Sequence, residues 1–359
     1  MKHKIAVLSG DGIGPEVMEQ ALKVLDKISK LYNFEYEIKE ALIGGCAIDK
    51  FGTPFPDTTK EICLNSDAVL LGSIGGPKWD NLPPEKKPEI GGLLALRKML
   101  KLYANIRPVI LFNELKYISP LKLNNNSKID LVTVRELASG IYFGQPKLLN
   151  DDKAYDTMVY QKKEIEKIAR IAFELARQRN KKVISVDKAN VLYSSMLWRK
   201  TVAEVSQDYP DIEVSNMYVD NAAMQLILNP LQFDVILTSN LFGDILSDES
   251  AAIAGSLGML PSASLSDDKN LPHLFEPAGG SAPDIAGKNI ANPIAQILSV
   301  ALLCFYSLDQ KDAYKSIFNA VSQVIKEGFR TKDIYSDSFE GLRLVSTKEM
   351  GKEIINRLS

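Results

Sequence analysis

Two carboxylates, Asp244 and Asp248, stand four residues apart in the stretch NLFGDILSDE, which follows the strand-like apolar run DVILTS. In a helix this spacing places both side chains on one face. Like charges at that distance repel, whereas a hard cation such as Mg²⁺ or Mn²⁺ needs such oxygens, so both are candidate metal ligands. The alternative is that they only favour the positive end of the helix dipole. We expect residues 240–243 to form a turn and the helix to begin at Asp244.

Three more polar residues stand at or just beyond the carboxyl ends of predicted strands: Arg135, Lys188 and Asp220. Proteins of the α/β class usually gather their ligands at that edge of the sheet. With only two histidines in the chain, acid–base chemistry must use Asp, Lys or Tyr. The three cysteines are far apart and are expected to be reduced thiols, neither a disulfide framework nor a zinc site.

The composition is that of an ordinary soluble protein, with 45% apolar and 25% charged residues. A length of 359 residues predicts two domains. The net charge of −2 gives no electrostatic reason to bind nucleic acid or a membrane surface. The sequence has no apolar run of membrane-spanning length and no signal peptide at its start, so we expect a cytoplasmic protein.

The opening strand HKIAVLSG is followed by GDGIGPEV, whose glycines resemble a dinucleotide-binding fingerprint. The fingerprint needs a glycine where this chain has Pro15, and proline removes an amide that could face a phosphate. We therefore reject a standard Rossmann site here. A phosphate-handling enzyme built on this loop is disfavoured for the same reason.

Strands alternate with helices along the chain, which predicts an α/β architecture. We expect a loop at PKWDNLPPEKKPEIGG, then a helix over LLALRKMLKLYANIRP that ends at Pro108. The polar stretch NNNSK is expected to be an exposed tip. Residues 143–160 predict a β-hairpin that needs another surface to pack on, such as a second subunit.

An ordered set of motifs spans nearly the whole chain: GDGIGPEV, LLALRK, NIRP, TVRE, SGIYFG, VDKANV, VDNAAMQL, TSNLFGDILSDE and EPAGGSAPDIAGKNIANP. The set resembles the metal-dependent, decarboxylating β-hydroxyacid dehydrogenases, that is, the isocitrate/isopropylmalate dehydrogenase family. The resemblance implies a two-domain fold with mixed sheets flanked by helices. Residues 1–102 with 257–359 would form the cofactor-side domain, and residues 103–256 would form a dimerisation and metal-site domain carrying the hairpin arm.

The resemblance also implies roles for the charged residues. Arg97, Arg107 and Arg135 would bind the carboxylates of a small dicarboxylate substrate through planar guanidinium forks. For any single arginine the alternative is a surface ion pair. Asp244 and Asp248 would hold Mg²⁺ or Mn²⁺ against the substrate hydroxyl.

By the same resemblance, Asp220 would complete the metal site and also contact substrate. Lys188 would remove the hydroxyl proton, and Tyr142 would donate a proton to carbon after CO₂ is lost. The alternatives are a helix-cap role for Asp220, a solvated strand-end lysine and a half-buried packing tyrosine. The family's active site is shared between two subunits, with Lys188 and Asp220 reaching across, so a homodimer is expected.

By resemblance, the cofactor is NAD, bound outside any Rossmann turn. Asp284 would accept from the ribose hydroxyls and repel a 2′-phosphate, which favours NAD over NADP. Gly279 departs from the histidine of many relatives. The implied cofactor-binding residues are Gly76, Glu89, Asn190, Gly280, Ser281, Ala282, Pro283, Asp284, Ile285, Ala286, Gly287 and Asn292.

Substrate choice is expected to depend on Glu89, Leu93 and Leu94, with Val191 as a further substrate contact. A leucine surface suits an isopropyl group, although these leucines could equally be helix core. The resemblance therefore implies oxidation and decarboxylation of (2R,3S)-3-isopropylmalate to 4-methyl-2-oxopentanoate, a step of leucine biosynthesis. The alternatives are a related enzyme acting on D-malate, tartrate or homoisocitrate, and a catalytically silent ligand-binding dimer.

Overall fold

The computed structural model describes residues 2–124 and 127–359, so Asn125 and Asn126 of the predicted tip lie outside the described residues. The chain forms two compact units, Met1–Leu102 with Gly255–Ser359, and Tyr103–Ala254. No helix in the described ranges is long and apolar enough to cross a membrane.

The strands in these ranges are, in chain order, β1 (His3–Gly10), β2 (Tyr36–Glu40), β3 (Ala68–Ser73), β4 (Leu102–Ile110), β5 (Asp130–Glu136), β6 (Leu148–Leu149), β7 (Ala154–Tyr155), β8 (Lys182–Asp187), β9 (Glu213–Tyr218), β10 (Val235–Thr238), β11 (Pro261–Ser266), β12 (His273–Pro277), β13 (Phe329–Arg330) and β14 (Arg343–Leu344). The α-helices are α1 (Gly14–Leu31), α2 (Gly45–Phe51), α3 (Asp57–Leu64), α4 (Ala95–Met99), α5 (Lys162–Arg177), α6 (Tyr193–Ser206), α7 (Val219–Leu228), α8 (Asn240–Ile253), α9 (Ile294–Tyr306), α10 (Lys311–Lys326) and α11 (Thr347–Ile355).

In the first unit the strand order is β2-β1-β3-β12-β11. The first three neighbouring pairs are parallel, and β11 with β12 is antiparallel. Helix α9 packs on β11 and β12, and it is buried along most of its length, as its nearly all-apolar sequence predicts. This mixture of strand directions flanked by helices confirms the predicted α/β fold class.

In the second unit the order is β4-β5-β10-β8-β9, with β5, β10, β8 and β9 all parallel. The carboxyl ends of these four strands therefore meet at one edge of the sheet. Arg135, Lys188, Asp220 and the start of α8 all lie at this edge. The stretch 143–160 contains a short antiparallel pair, β6 with β7.

The helix predicted to run as far as Pro108 is wrong. Helix α4 ends at Met99, and Lys101 adopts a left-handed backbone with φ 51°. The residues that follow form β4, which pairs antiparallel with β5 from Ala104 opposite Glu136 to Ile110 opposite Asp130. An apolar run of this length fits a buried strand or a buried helix equally well, and pairing with β5 decides between them.

The predicted loop after β3 contains short helical turns, at Pro77–Trp79, Pro84–Lys86 and Pro88–Leu94. The predicted turn at residues 240–243 is also wrong, because α8 begins at Asn240 and the Gly243 amide donates to the Ser239 carbonyl at 2.8 Å. A glycine usually signals a turn, but here it is needed inside the helix for packing, as described below.

The opening glycine-rich loop is organised by Asp11, a buried residue that the motif analysis did not single out. Its Oδ2 accepts from the amides of Gly45 and Gly75, each at 2.8 Å, and its Oδ1 accepts from the Cys46 amide at 2.7 Å. A Cβ at Gly12 would lie 2.0 Å from the Ser281 carbonyl oxygen, so glycine is required there for chain packing. These contacts give the loop a structural role in place of a Rossmann turn.

We expect Asp11→Ala to lower the free energy of unfolding by about 2 kcal/mol or more, because the amides of Gly45, Cys46 and Gly75 would lose the carboxylate that accepts from them. The midpoint of urea unfolding measures this change. Asp67→Ala is the matched control, since exposed Asp67 accepts from one amide, that of Lys4 at 2.7 Å. Equal losses in the two variants would contradict the role given to Asp11.

Candidate active site

The centre of the candidate site in the second unit is Arg135, at the end of β5, which is only 1% exposed. Its Nε and Nη2 donate to Oδ1 of Asn240 at 3.1 and 2.7 Å. Its Nη1 donates to Oδ1 of Asp244. The guanidinium is thus held by two residues of the first turns of α8, which supply both its neutralising charge and its hydrogen bonds.

Helix α8 can approach Arg135 this closely because residue 243 is glycine. A Cβ at Gly243 would lie 2.6 Å from Cγ and 2.7 Å from Cβ of Arg135. Any larger residue would push the arginine stem away from the helix. The glycine therefore places Asn240 and Asp244, on either side of it, within reach of one guanidinium.

Both oxygens of Asp244 are engaged. The Tyr142 hydroxyl donates to Oδ2 at 2.8 Å, and Nη1 of Arg107 lies 3.6 Å from Oδ1. Burial, together with the neighbouring Asp244 carboxylate, raises the pKa of Tyr142 to about 12. The phenol therefore keeps its proton throughout the neutral pH range.

The second arginine of this unit, Arg107, lies on β4 and is 5% exposed. Its Nη1 donates to the Ser247 hydroxyl at 2.7 Å and to Oδ1 of Asp248 at 3.1 Å. Partial burial raises the pKa of Asp248, and the charge of Arg107 opposes that rise. Two arginines, two carboxylates and a tyrosine therefore form one connected cluster, which a single chain assembles by itself.

Lys188 and Asp220, which follow β8 and β9, form a separate pair. Nζ of Lys188 lies 2.6 Å from Oδ1 of Asp220, and this hydrogen bond holds the pKa of the Asp220 carboxyl below its usual range. Within residues 2–124 and 127–359, no group of three or more His, Cys, Asp or Glu side chains could hold a metal ion. The predicted triad of Asp220, Asp244 and Asp248 is therefore not assembled by one copy of the chain.

The chemistry of the donors nevertheless fits a hard divalent cation. Asp244 and Asp248 offer carboxylate oxygens one helical turn apart, the ligand type that Mg²⁺ and Mn²⁺ prefer. One or two protein carboxylates with water and substrate oxygens are a usual Mg²⁺ environment. These two carboxylates could hold such an ion when Arg107 and Arg135 form ion pairs with a different anion in their place.

In the first unit, Arg97 lies on α4 and is already paired. Its Nη2 donates to Oε1 of Glu276 at 2.7 Å, and both side chains are buried. Its Nε is buried without a hydrogen-bond partner among the described residues. Part of the fork is therefore engaged by a carboxylate that the sequence analysis missed, although Glu276 belongs to a quoted motif.

The remaining predicted substrate and nicotinamide contacts lie at the surface or near it. Glu89, Leu93 and Leu94 belong to the helical turn Pro88–Leu94, where both leucines are half-buried and Glu89 is exposed. Asn190 and Val191 follow β8 and are exposed. An exposed valine beside Lys188 is not a core residue and is free to contact a ligand.

A cavity of about 640 Å³ lies within the first unit, beside the glycine-rich loop. Four of the predicted cofactor residues line it: Gly280, Ala282, Ile285 and Asn292. Ile13, Leu257, Gln296 and Asp333 also line it and were not predicted.

The loop beside this cavity is joined to other segments of the first unit by hydrogen bonds. The carboxamide of Asn292 donates to Oδ2 of Asp333 at 3.0 Å, and the carbonyl of Ser281 accepts from the amide of Ile13 at 2.8 Å. A Cβ at Gly280 would meet nothing within 4 Å, so space is left at the cavity's edge. The volume and small side chains fit the adenosine half of a dinucleotide.

The other predicted cofactor residues do not line this cavity. Pro283 and Asp284 are exposed in the turn Pro283–Ile285, and Ala286 and Gly287 follow it. Gly76 precedes the turn Pro77–Trp79. The contacts predicted for these residues remain predictions.

Comparison with known proteins identifies the fold and its relatives. The sequence model of the family described as isocitrate/isopropylmalate dehydrogenase matches residues 4–354. A Thermotoga maritima protein named 3-isopropylmalate dehydrogenase is 62% identical over 99% of both chains. One from Vibrio vulnificus with the same name is 57% identical over 98% of this chain and 97% of that protein.

Solved structures agree with these sequence matches. An isocitrate dehydrogenase from Methylococcus capsulatus superposes with a TM-score of 0.86 at 35% identity, covering 99% of both chains. A beta-decarboxylating dehydrogenase from Thermococcus kodakarensis gives a TM-score of 0.80 at 35% identity, covering 99% of this chain and 96% of that one.

We expect Gly243→Ala to displace Arg135 and to destabilise the protein by about 1–3 kcal/mol, the usual cost of overpacking. Substrate binding should weaken about tenfold, because a displaced fork loses bidentate geometry. Gly351→Ala in α11 is the control, since its Cβ would crowd Gln20. It should lose stability without weakening substrate binding, and an unchanged KM in Gly243→Ala would contradict the role given to Gly243.

Proposed function

Because the chain belongs to the isocitrate/isopropylmalate dehydrogenase family, we propose that it is an NAD- and divalent-metal-dependent 3-isopropylmalate dehydrogenase. It oxidises (2R,3S)-3-isopropylmalate and releases CO₂ to form 4-methyl-2-oxopentanoate and NADH, a step of leucine biosynthesis. The observation that carries the proposal is the cluster of Arg107, Arg135, Tyr142, Asp244 and Asp248, in a chain 62% identical to a protein of that name.

In the proposed site, Arg107 and Arg135 bind the substrate carboxylates. Both guanidiniums are buried, and both form ion pairs with the carboxylates of Asp244 or Asp248 on α8. A substrate carboxylate can replace that partner without leaving a buried charge unpaired, which is the condition for such an exchange to be inexpensive. Arg97 contributes through the part of its fork that Glu276 does not occupy.

Asp244 and Asp248 would hold the Mg²⁺ or Mn²⁺ ion, together with Asp220 of a second copy. When bound, the ion polarises the substrate hydroxyl and stabilises the negative charge left by decarboxylation. The cluster formed by one chain supplies two of the three proposed carboxylates, and the Lys188–Asp220 pair is the part that a second copy would add.

Proton transfers are assigned to Lys188 and Tyr142. The ε-amine of Lys188, in its neutral form, would take the proton of the substrate hydroxyl, and bound NAD⁺ would supply the hydride acceptor. The hydroxyl of Tyr142 gives a proton to carbon after CO₂ departs. Its position supports this role, because the Tyr142 hydroxyl lies 2.8 Å from Oδ2 of Asp244, inside the cluster proposed to hold the substrate.

NAD is assigned to the cavity of the first unit. Asp284 is exposed at the turn after Ala282, where it can accept from ribose hydroxyls and would repel a 2′-phosphate. Gly76, Glu89 and Asn190 are proposed to contact the nicotinamide side.

A homodimer is part of the same proposal. Many of the exposed large apolar side chains belong to the second unit, among them Tyr193 at 86% and Leu149 at 77% exposure. Others on α7, including Met224 and Leu228, are also exposed. Such a concentration is typical of an interaction surface, and a second copy of this unit would cover it. All three cysteines are free thiols, which fits the cytoplasm.

The assay that tests the proposal is NADH formation from (2R,3S)-3-isopropylmalate with Mn²⁺. We expect turnover that EDTA abolishes, and kcat/KM at least about tenfold higher than for D-malate, since burial of an isopropyl group favours the larger substrate. A preference for D-malate would mean that this chain has the activity of a different member of the family. Binding without turnover of any of these acids would make the protein a silent ligand-binding dimer.

A further inference from the structure

Glu136 is a buried carboxylate to which the proposed reaction gives no task. It is 1% exposed and follows Arg135 directly at the end of β5, so its side chain points to the opposite face of the sheet. Its Oε1 accepts from the amide of Ala138 at 2.7 Å, and its Oε2 accepts from the amide of Ser139 at 3.1 Å. The carboxylate thus pins the turn formed by residues 137–140.

That turn contacts the site at the backbone of Ser139. The carbonyl oxygen of Ser139 accepts from Nδ2 of Asn240 at 3.0 Å. The Gly140 amide donates to the carbonyl of Val159 at 2.9 Å, which fixes the far end of the turn. Ser139 is therefore held from both sides: Glu136 accepts from its amide, and Val159 accepts from the amide of the following residue, Gly140.

The side chain of Asn240 links this turn to the guanidinium. A carboxamide has one donating and one accepting end, so fixing one end determines where the other points. Here the donating end faces Ser139, and Oδ1 faces Nε and Nη2 of Arg135. Rotating the amide by half a turn would place its NH₂ against the guanidinium, which has no acceptor.

We propose that Glu136 is a positioning residue for Arg135: by fixing Ser139 it orients the Asn240 carboxamide, and so sets the guanidinium fork for the substrate carboxylate. This inference rests on the proposed role of Arg135 in binding substrate. In this role Glu136 acts through Ser139 and Asn240 and does not itself contact substrate or cofactor.

The cost of burying Glu136 supports a role beyond packing. Burial raises its pKa to about 7, and neighbouring Glu164 of α5 adds to the rise, whereas the two amides and Arg135 oppose it. The backbone amide of Asn240 donates to the Tyr160 hydroxyl at 2.9 Å, so the start of α8 has a second fixed contact near this turn. A glutamine would fill the same volume at a lower desolvation cost, but it has only one accepting oxygen for two amides.

The test compares Glu136→Gln with Glu164→Gln in the full-length enzyme. Glu164 is the matched control because it occupies the third position of a capping box at the start of α5, where glutamine serves equally well. The measurements are KM and kcat for (2R,3S)-3-isopropylmalate, the dissociation constant of NADH from tryptophan fluorescence, and the thermal midpoint.

We expect Glu136→Gln to raise KM about tenfold with kcat changed by less than about threefold, as a displaced binding fork requires. The affinity for NADH and the folded state should be retained, and Glu164→Gln, which leaves both hydrogen bonds of Glu136 in place, should keep the KM of wild type. A general loss of structure would instead weaken NADH binding as well.

Asn240→Ala provides the second variant and keeps the inference testable if Glu136→Gln folds poorly. It removes the link itself, so it should raise KM at least as much as Glu136→Gln. In the double variant the effect of Glu136→Gln should disappear, because two residues acting through one chain of contacts are not additive.

An unchanged KM in Glu136→Gln, or full additivity in the double variant, would overturn the positioning role while leaving the proposed function intact. Absence of turnover by the wild-type enzyme would overturn the proposed function and this inference with it. The two failures are therefore distinguishable.

Discussion

The structure of the site depends on one ion pair, between the buried guanidinium of Arg135 and the carboxylate of Asp244. A guanidinium that is 1% exposed needs a matching charge and acceptors for its remaining hydrogens. The first turns of α8 provide both, because the helix begins at Asn240 and Gly243 lets it approach. The start of α8 thus has to lie where β5 ends, and the parallel strands between β5 and β9 bring the other site residues to the same edge.

This pairing also gives Asp244 two uses. It neutralises Arg135 when the site holds no substrate, and it is proposed to become a metal ligand when a substrate carboxylate takes its place. The hydroxyl of Tyr142 donates to the same carboxylate, and the phenol stays protonated there because its pKa is raised. Arg107 and Asp248 repeat the arrangement one helical turn away. In the proposed reaction, a site built in this way would exchange one anion for another, so that charge balance would be kept in both states.

Much of this was readable from the sequence, for identifiable reasons. Residue type and position after apolar runs placed Arg135, Lys188 and Asp220 at strand ends, and the i, i+4 spacing placed Asp244 and Asp248 on one helix. The failures were also physical. Leu102–Ile110 is mostly apolar with no clear period, and its pairing with β5 shows it to be a strand. Gly243 looked like a turn because its role, close packing on Arg135, involves a residue far away in sequence. Asn240, Glu276 and Asp11 were missed because their partners are equally remote, although Asn240 stood at a strand end where such residues are expected.

The central claim is that one copy of the chain supplies Arg135 and Asp244 and a second copy supplies Lys188 and Asp220. Co-expression of differently tagged Asp244→Asn and Lys188→Met chains tests it most directly, with NADH formation measured for each homodimer and for the purified heterodimer. If the site is shared, both homodimers are nearly inactive and the heterodimer, which has one intact site of two, shows about half of wild-type activity. A heterodimer as inactive as its parents would place the whole site within one chain and contradict the account.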